Sequence, residues 1–161
     1  IADAIDKAKS RISGIVGDDF YRGILTGLNG AFLIGETERH TLIADGAKTE
    51  RLIRKWIDGG EIERWGHDYS QQFVIAIASG SNIKGGWPWS GKTEAEAERI
   101  FAKEHPALFS HLSQWRADLK KRTDKGEYWW ELRACAYWDA FDKIKVAYNE
   151  RAERGKYAKQ R

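Results

Sequence analysis

Apolar and polar positions change period several times along the chain, and each change marks an element. Ala2 to Ile12 carries apolar residues at helical spacing, and Gly14 and Gly17 stop the run. Tyr21 to Ile34 reads as two short strands around a Gly/Asn turn, with His40-Thr41-Leu42-Ile43 as a third strand. Thr49 to Trp56 is expected to be helical, placing Leu52, Ile53 and Trp56 on one face before Gly59-Gly60 ends it. Phe73-Val74-Ile75-Ala76-Ile77 is a continuous apolar run of strand length, the pattern of a strand buried on both faces.

The second half begins with a clear helix start. Thr93 followed by Glu96 has capping-box spacing, and Ala97, Ile100 and Phe101 form an apolar stripe behind it. His105-Pro106 ends that helix and opens another, because proline suits a first helical position. Leu108, Leu112, Trp115 and Leu119 then recur at helical spacing down to Thr123. Lys120-Lys121-Arg122 falls in the last turn, where cations favour the helix dipole. Asp124-Lys125-Gly126 is a turn and Tyr128 to Leu132 is extended. Alternation there puts Tyr128, Trp130 and Leu132 on one face and Trp129, Glu131 and Arg133 on the other. Tyr137 to Phe141 forms a helical turn and Ile144 to Tyr148 a closing strand. These elements predict an α+β fold: one mixed domain over residues 1–161, with short strands forming a small sheet packed with several helices.

Composition narrows the functional classes. Apolar residues make up 42% and charged residues 32%, the balance of a soluble globular domain. No apolar run approaches the ~20 residues that span a bilayer, so no membrane partner is expected. Cys135 is the single cysteine, which precludes an intrachain disulfide and suits the cytoplasm. His40, His67, His105 and His111 lack metal-ligand spacing, and no carboxylate pair stands out for acid–base work. No metal, cofactor or catalytic residue is therefore expected in this chain. Ile1 at the start and the absence of methionine suggest a piece of a longer polypeptide. The net charge of +3 is uneven: residues 105–161 carry 13 Lys/Arg against 8 Asp/Glu. An excess of cations on that side allows a polyanionic partner.

Gly86-Trp87-Pro88-Trp89-Ser90-Gly91-Lys92-Thr93 matches the phosphate-loop pattern letter for letter. The chemistry argues against that function. Such a loop turns successive backbone N–H groups onto phosphate oxygens, and Pro88 deletes one donor while two tryptophans crowd the concavity. The segment is better read as a surface loop with Thr93 as a helix cap.

Lys125 to Trp138 is denser in chemistry, holding Tyr128, Trp129, Trp130, Tyr137 and Trp138 with Lys125 and Arg133. Trp, Tyr and Arg together favour binding surfaces. Three segments then resemble one family. They are Tyr21-Arg22-Gly23-Ile24-Leu25-Thr26-Gly27-Leu28-Asn29-Gly30-Ala31-Phe32-Leu33-Ile34; Pro88-Trp89-Ser90-Gly91 with Glu96 to Phe101 and His105-Pro106-Ala107-Leu108; and Lys121 to Gly126 through Trp129-Trp130-Glu131-Leu132-Arg133. The family is the TaqI-like specificity domain, the target-recognition domain of Type IIG restriction–modification enzymes and related adenine-specific DNA methyltransferases. The resemblance runs from about Tyr21 to Tyr148. The chain has Lys143-Ile144-Lys145-Val146 where the family usually places Lys-Pro-Lys-Ile.

The resemblance implies a non-catalytic domain that selects a double-stranded DNA site. Its other partner would be a methyltransferase domain in the same polypeptide, which would bind S-adenosylmethionine. Candidate DNA contacts are Arg22, Thr26 and Asn29 in the first motif and Ser81, Asn82 and Lys84 in the Gly-rich loop. Lys125, Tyr128, Trp129 and Arg133 complete the set. Cations would hold phosphates, and Asn, Ser or Arg would read base edges. A protein-interaction or scaffold role for the Trp-rich surface is the alternative reading, with nucleotide binding through Gly86–Thr93 a less favoured third.

Overall fold

A computed structural model of the chain describes residues 21–63, 66–67, 69–148 and 157–160. The helix expected over Ala2–Ile12 lies outside them. Among the described residues six helices run in order: α1 (Asn29–Phe32), α2 (Glu36–Leu42), α3 (Ala47–Glu50), α4 (Glu94–Glu104), α5 (Pro106–Ser113) and α6 (Arg116–Lys121). Strands β1 (Leu33–Ile34), β2 (Ile53–Trp56) and β3 (Gln72–Ile75) form an antiparallel sheet in the order β1-β3-β2. A separate antiparallel pair joins β4 (Lys145–Tyr148) to β5 (Tyr157–Gln160). This is the α+β architecture the sequence predicts, a small sheet with helices packed on it.

β3 is the centre of the core. It pairs Leu33 with Val74 on one side and Ile53 with Ile75 on the other. Every residue from Phe73 to Gly80 is buried, as the unbroken apolar run predicts. Beyond β3 the extended chain continues to bond, Ala76 N–H to Leu52 O (2.7 Å) and Leu132 N–H to Ile77 O (2.8 Å). The second bond ties the aromatic segment to the sheet.

α4 starts where its capping box predicts. Thr93 N–H donates to Glu96 Oε2 (3.3 Å), Glu96 N–H returns to Thr93 Oγ1 (3.4 Å), and Ala97 and Phe101 are buried. Pro106 opens α5, whose Leu108 and Leu112 are buried. The expected continuous helix to Thr123 breaks at Gln114-Trp115. There the amides bond three residues back, Trp115 N–H to Leu112 O at 3.0 Å, and the tighter turn redirects the chain. Leu119 reaches the core from α6, while Trp115 stays partly exposed.

Three short segments differ from the sequence reading. Tyr21 to Ile34 contains one helical turn, α1, and one strand, β1, in place of two strands. His40–Ile43 belongs to α2 and the following 3-10 turn. Glu38 Oε2 accepts from Gly35 N–H (3.0 Å) at its start, and Glu36 pairs with Arg39 (3.3 Å) and His40 (2.9 Å) one turn later. Thr49–Trp56 splits into the end of α3 and strand β2, because pairing with β3 overrides helical periodicity.

Tyr128 to Leu132 is not an alternating strand. All five residues are buried, and Glu131 N–H bonds back to Tyr128 O (3.1 Å) as a turn. Aromatic neighbours enclose the segment from several directions. Trp130 is stacked between Phe101 (5.1 Å) and Tyr128 (4.9 Å), with Trp89 and Trp129 meeting it edge-on. Tyr137–Phe141, expected as a helical turn, is a 3-10 turn over Trp138–Asp142.

Candidate nucleic-acid interface

Two buried ionisable side chains hold together segments far apart in sequence. Arg122 is buried, contrary to the exposed last-turn cation that its basic neighbours suggest. Its guanidinium donates to the carbonyls of Trp129 (2.8 Å), Glu131 (2.8 Å) and Thr26, and lies over the Phe32 ring (4.7 Å). Burial lowers its pKa to about 10, partly offset by Asp124, so the group stays charged at neutral pH. Gly27, at φ +67°, lets the first motif pass close by: an added Cβ would lie 3.1 Å from Arg122 Cδ.

Glu131 is fully buried where alternation suggested an outward face. Its carboxylate accepts from Trp89 Nε1 (2.9 Å), Glu127 N–H (2.9 Å) and Gly80 N–H (3.3 Å). Burial pushes its pKa up, and these donors pull against that shift. Gly126 makes the pocket for it, since a Cβ there would fall 2.4 Å from Glu131 Oε2. The middle motif is thereby locked to the third motif, as Arg122 locks the first.

The ten candidate contacts divide by burial. Thr26 is buried, its hydroxyl donating to Asn29 Oδ1 (2.5 Å). Tyr128 is buried, its hydroxyl accepting from Lys92 N–H (3.0 Å) and lying 2.9 Å from Trp89 O. Trp129 is buried, with Nε1 donating to Glu98 Oε1 (2.8 Å). These three have internal partners, so the set of contacts available to DNA is smaller than the sequence suggests. Asn82 spends its side-chain amide on the Cys135 backbone, accepting from N–H (2.9 Å) and donating to O (2.5 Å). It acts as a clasp between the Gly-rich loop and the third segment.

Arg22, Asn29, Ser81, Lys84, Lys125 and Arg133 are exposed. Arg22 and Lys84 have no ion-pair partner among the described residues. Arg133 meets Asp124 at 3.2 Å in an exposed pair, and Lys125 donates to Lys120 O (2.8 Å). Contacts bring their segments together: Tyr21 stacks on Tyr137 (4.5 Å), and the Asn82–Cys135 clasp places the 80–85 loop beside the same stretch. Segments bearing exposed polar and basic side chains thus lie near one another, next to the buried aromatic cluster.

The phosphate-loop pattern does not offer a cradle of free donors. Gly86 N–H bonds to Ile83 O (2.8 Å), Trp87 N–H to Ser90 Oγ (2.9 Å), and Gly91 N–H to Glu127 Oε1 (3.0 Å). Ser90 and Lys92 amides are committed to backbone carbonyls as well. Among the described residues no group of His, Cys, Asp and Glu is placed to hold a metal ion, and no helix is long and apolar enough to cross a membrane.

Sequence reasoning missed a second feature, a cleft of about 360 Å³ bordered by Arg51, Trp87 and Trp138. Its parts come from distant segments with no shared motif. No protein-family model matches the chain, and no curated protein matches it.

Proposed function

We propose that the chain is the DNA sequence-recognition domain of a restriction–modification enzyme, selecting the site that an adenine-specific methyltransferase domain of the same cytoplasmic polypeptide modifies. The observation that carries this reading is the mutual locking of the three resembling segments. Arg122 joins the first to the third, and Glu131 joins the second to the third. Residues that look like a family signature thus form one physical unit, and that unit lies beside the segments bearing exposed polar and basic side chains.

On this reading Arg22, Lys84 and Lys125 hold phosphates and set register, while Asn29, Ser81 and Arg133 face base edges. The Arg133–Asp124 pair is solvent-exposed and contributes only ~0–1 kcal/mol, so exchanging Asp124 for DNA costs little. S-adenosylmethionine belongs to the methyltransferase domain, and no residue of this chain is assigned to it. The test is exchange of this segment for a relative's within the methyltransferase-bearing polypeptide. The methylated sequence is expected to change with the segment; an unchanged target would overturn the proposal. Salt-insensitive docking to the methyltransferase with no DNA contribution would favour the scaffold role.

A further inference from the structure

The cleft has a chemistry of its own. It opens between α3 and β2 on one side and Ile83 to Trp89 on the other, with Trp138 closing a wall. Its volume of about 360 Å³ lies at the small end of ligand sites, which run from ~300 to 1,000 Å³. That suits one small molecule or one nucleotide.

Trp87 provides a fixed aromatic surface. Its Nε1 donates to Ala78 O (2.9 Å), and one face stacks on Trp89 with centroids 5.0 Å apart and planes 13° apart. The ring remains half-buried at the cleft, so orientation is set before any ligand arrives. Preorganised stacking of this kind accepts any flat ring, because every base has a π-face.

Three cations line the same cleft against one carboxylate, Glu104. Lys48 is engaged by Glu104 at 2.8 Å, and Arg54 by Asp142. Arg51 is exposed and has no ion-pair partner among the described residues. A guanidinium with its fork uncommitted is suited to bidentate pairing with phosphate. The flat ring and the open cation together select a planar aromatic ligand carrying an anion.

We infer that this cleft is a nucleoside-phosphate subsite, with the base against Trp87 and the phosphate on Arg51. It is distinct from the phosphate-loop pattern, because Lys92 does not line the cleft and the Gly86, Trp87, Ser90, Gly91 and Lys92 amides are committed elsewhere. It also stands apart from the duplex-recognition proposal. The nucleotide is either free or an unpaired residue of a nucleic-acid strand.

Tryptophan fluorescence of the full chain, titrated with adenosine 5′-monophosphate and separately with a short single-stranded oligodeoxyadenosine, tests the inference. At least one probe is expected to quench saturably. Arg51→Ala should weaken that binding on the order of tenfold or more, while Arg51→Lys loses less. Lys92→Ala should leave it unchanged. Saturation by the mononucleotide identifies a free ligand, and saturation by the oligonucleotide alone identifies a strand. Absence of saturable binding to both probes, or affinity unaltered by Arg51→Ala, overturns the inference. A thermal melt of Arg51→Ala checks folding, and the exposed, unpaired side chain predicts an unchanged midpoint. Duplex binding, measured separately, is expected to survive Arg51→Ala, so the two proposals fail independently.

Discussion

Arg122 is a residue whose loss the fold tolerates poorly. Its guanidinium serves three carbonyls from two segments in a buried setting. Arg122→Met keeps much of the volume but strands those acceptors, each unmade bond costing ~1–3 kcal/mol. The expected loss is therefore on the order of 3–5 kcal/mol, measured by urea unfolding. A loss below ~1 kcal/mol would show that water replaces the guanidinium. Glu131 gives a prediction with a sign. Its pKa is raised in the folded protein by burial, so the native state holds that proton to higher pH than the unfolded chain does. Stability from this group is present below the ordinary carboxylate value and declines as pH rises toward the raised one. Glu131→Gln removes the slope, and its new amide N–H group faces the donors that Glu131 Oε2 accepted. The variant should be less stable, with the gap to the native protein narrowing as pH rises through that window in parallel thermal melts. A gap independent of pH would refute the assignment.

Among the elements, α4 is the one whose limits follow from local chemistry alone. Thr93→Ala removes the cap and should cost about 1 kcal/mol, visible as a lower urea midpoint with unchanged cooperativity. The shorter elements were not legible in this way. Ile53 and Trp56 fit a helical stripe, yet β2 forms because β3 offers backbone partners along its length. His40–Ile43 looked strand-like, yet Glu36 and Glu38 supply helix-start contacts that favour α2. Segments this short contain too few residues for periodicity to outweigh a neighbour's hydrogen bonds. The turn within Tyr128–Leu132 is the sharpest case. Alternation assigned it two faces, whereas Phe101, Trp89 and Phe109 enclose it together with the segment's own rings.

The whole molecule sets where charge faces solvent, and it is there that DNA affinity is predicted. If the surface carrying Arg22 and Lys84 holds phosphates, log affinity for duplex DNA falls linearly with log salt. Arg22→Ala and Lys84→Ala should each weaken binding on all sequences and lower that slope by about one, in anisotropy titrations across salt concentrations. A slope unchanged in both variants would remove these residues from the interface. The amino-acid sequence by itself determined the mixed α+β class, the buried β3 run, the capped α4 and the proline start of α5. Each of these depends on spacing within one segment, which a linear pattern carries. Tertiary structure alone decided that Arg122 and Glu131 are internal, that Thr26, Tyr128 and Trp129 are occupied inside, and that Arg51 shares a cleft with Trp87. Those outcomes depend on contacts between residues up to 96 positions apart, where packing fixes whether a polar side chain meets a carbonyl, an amide or water.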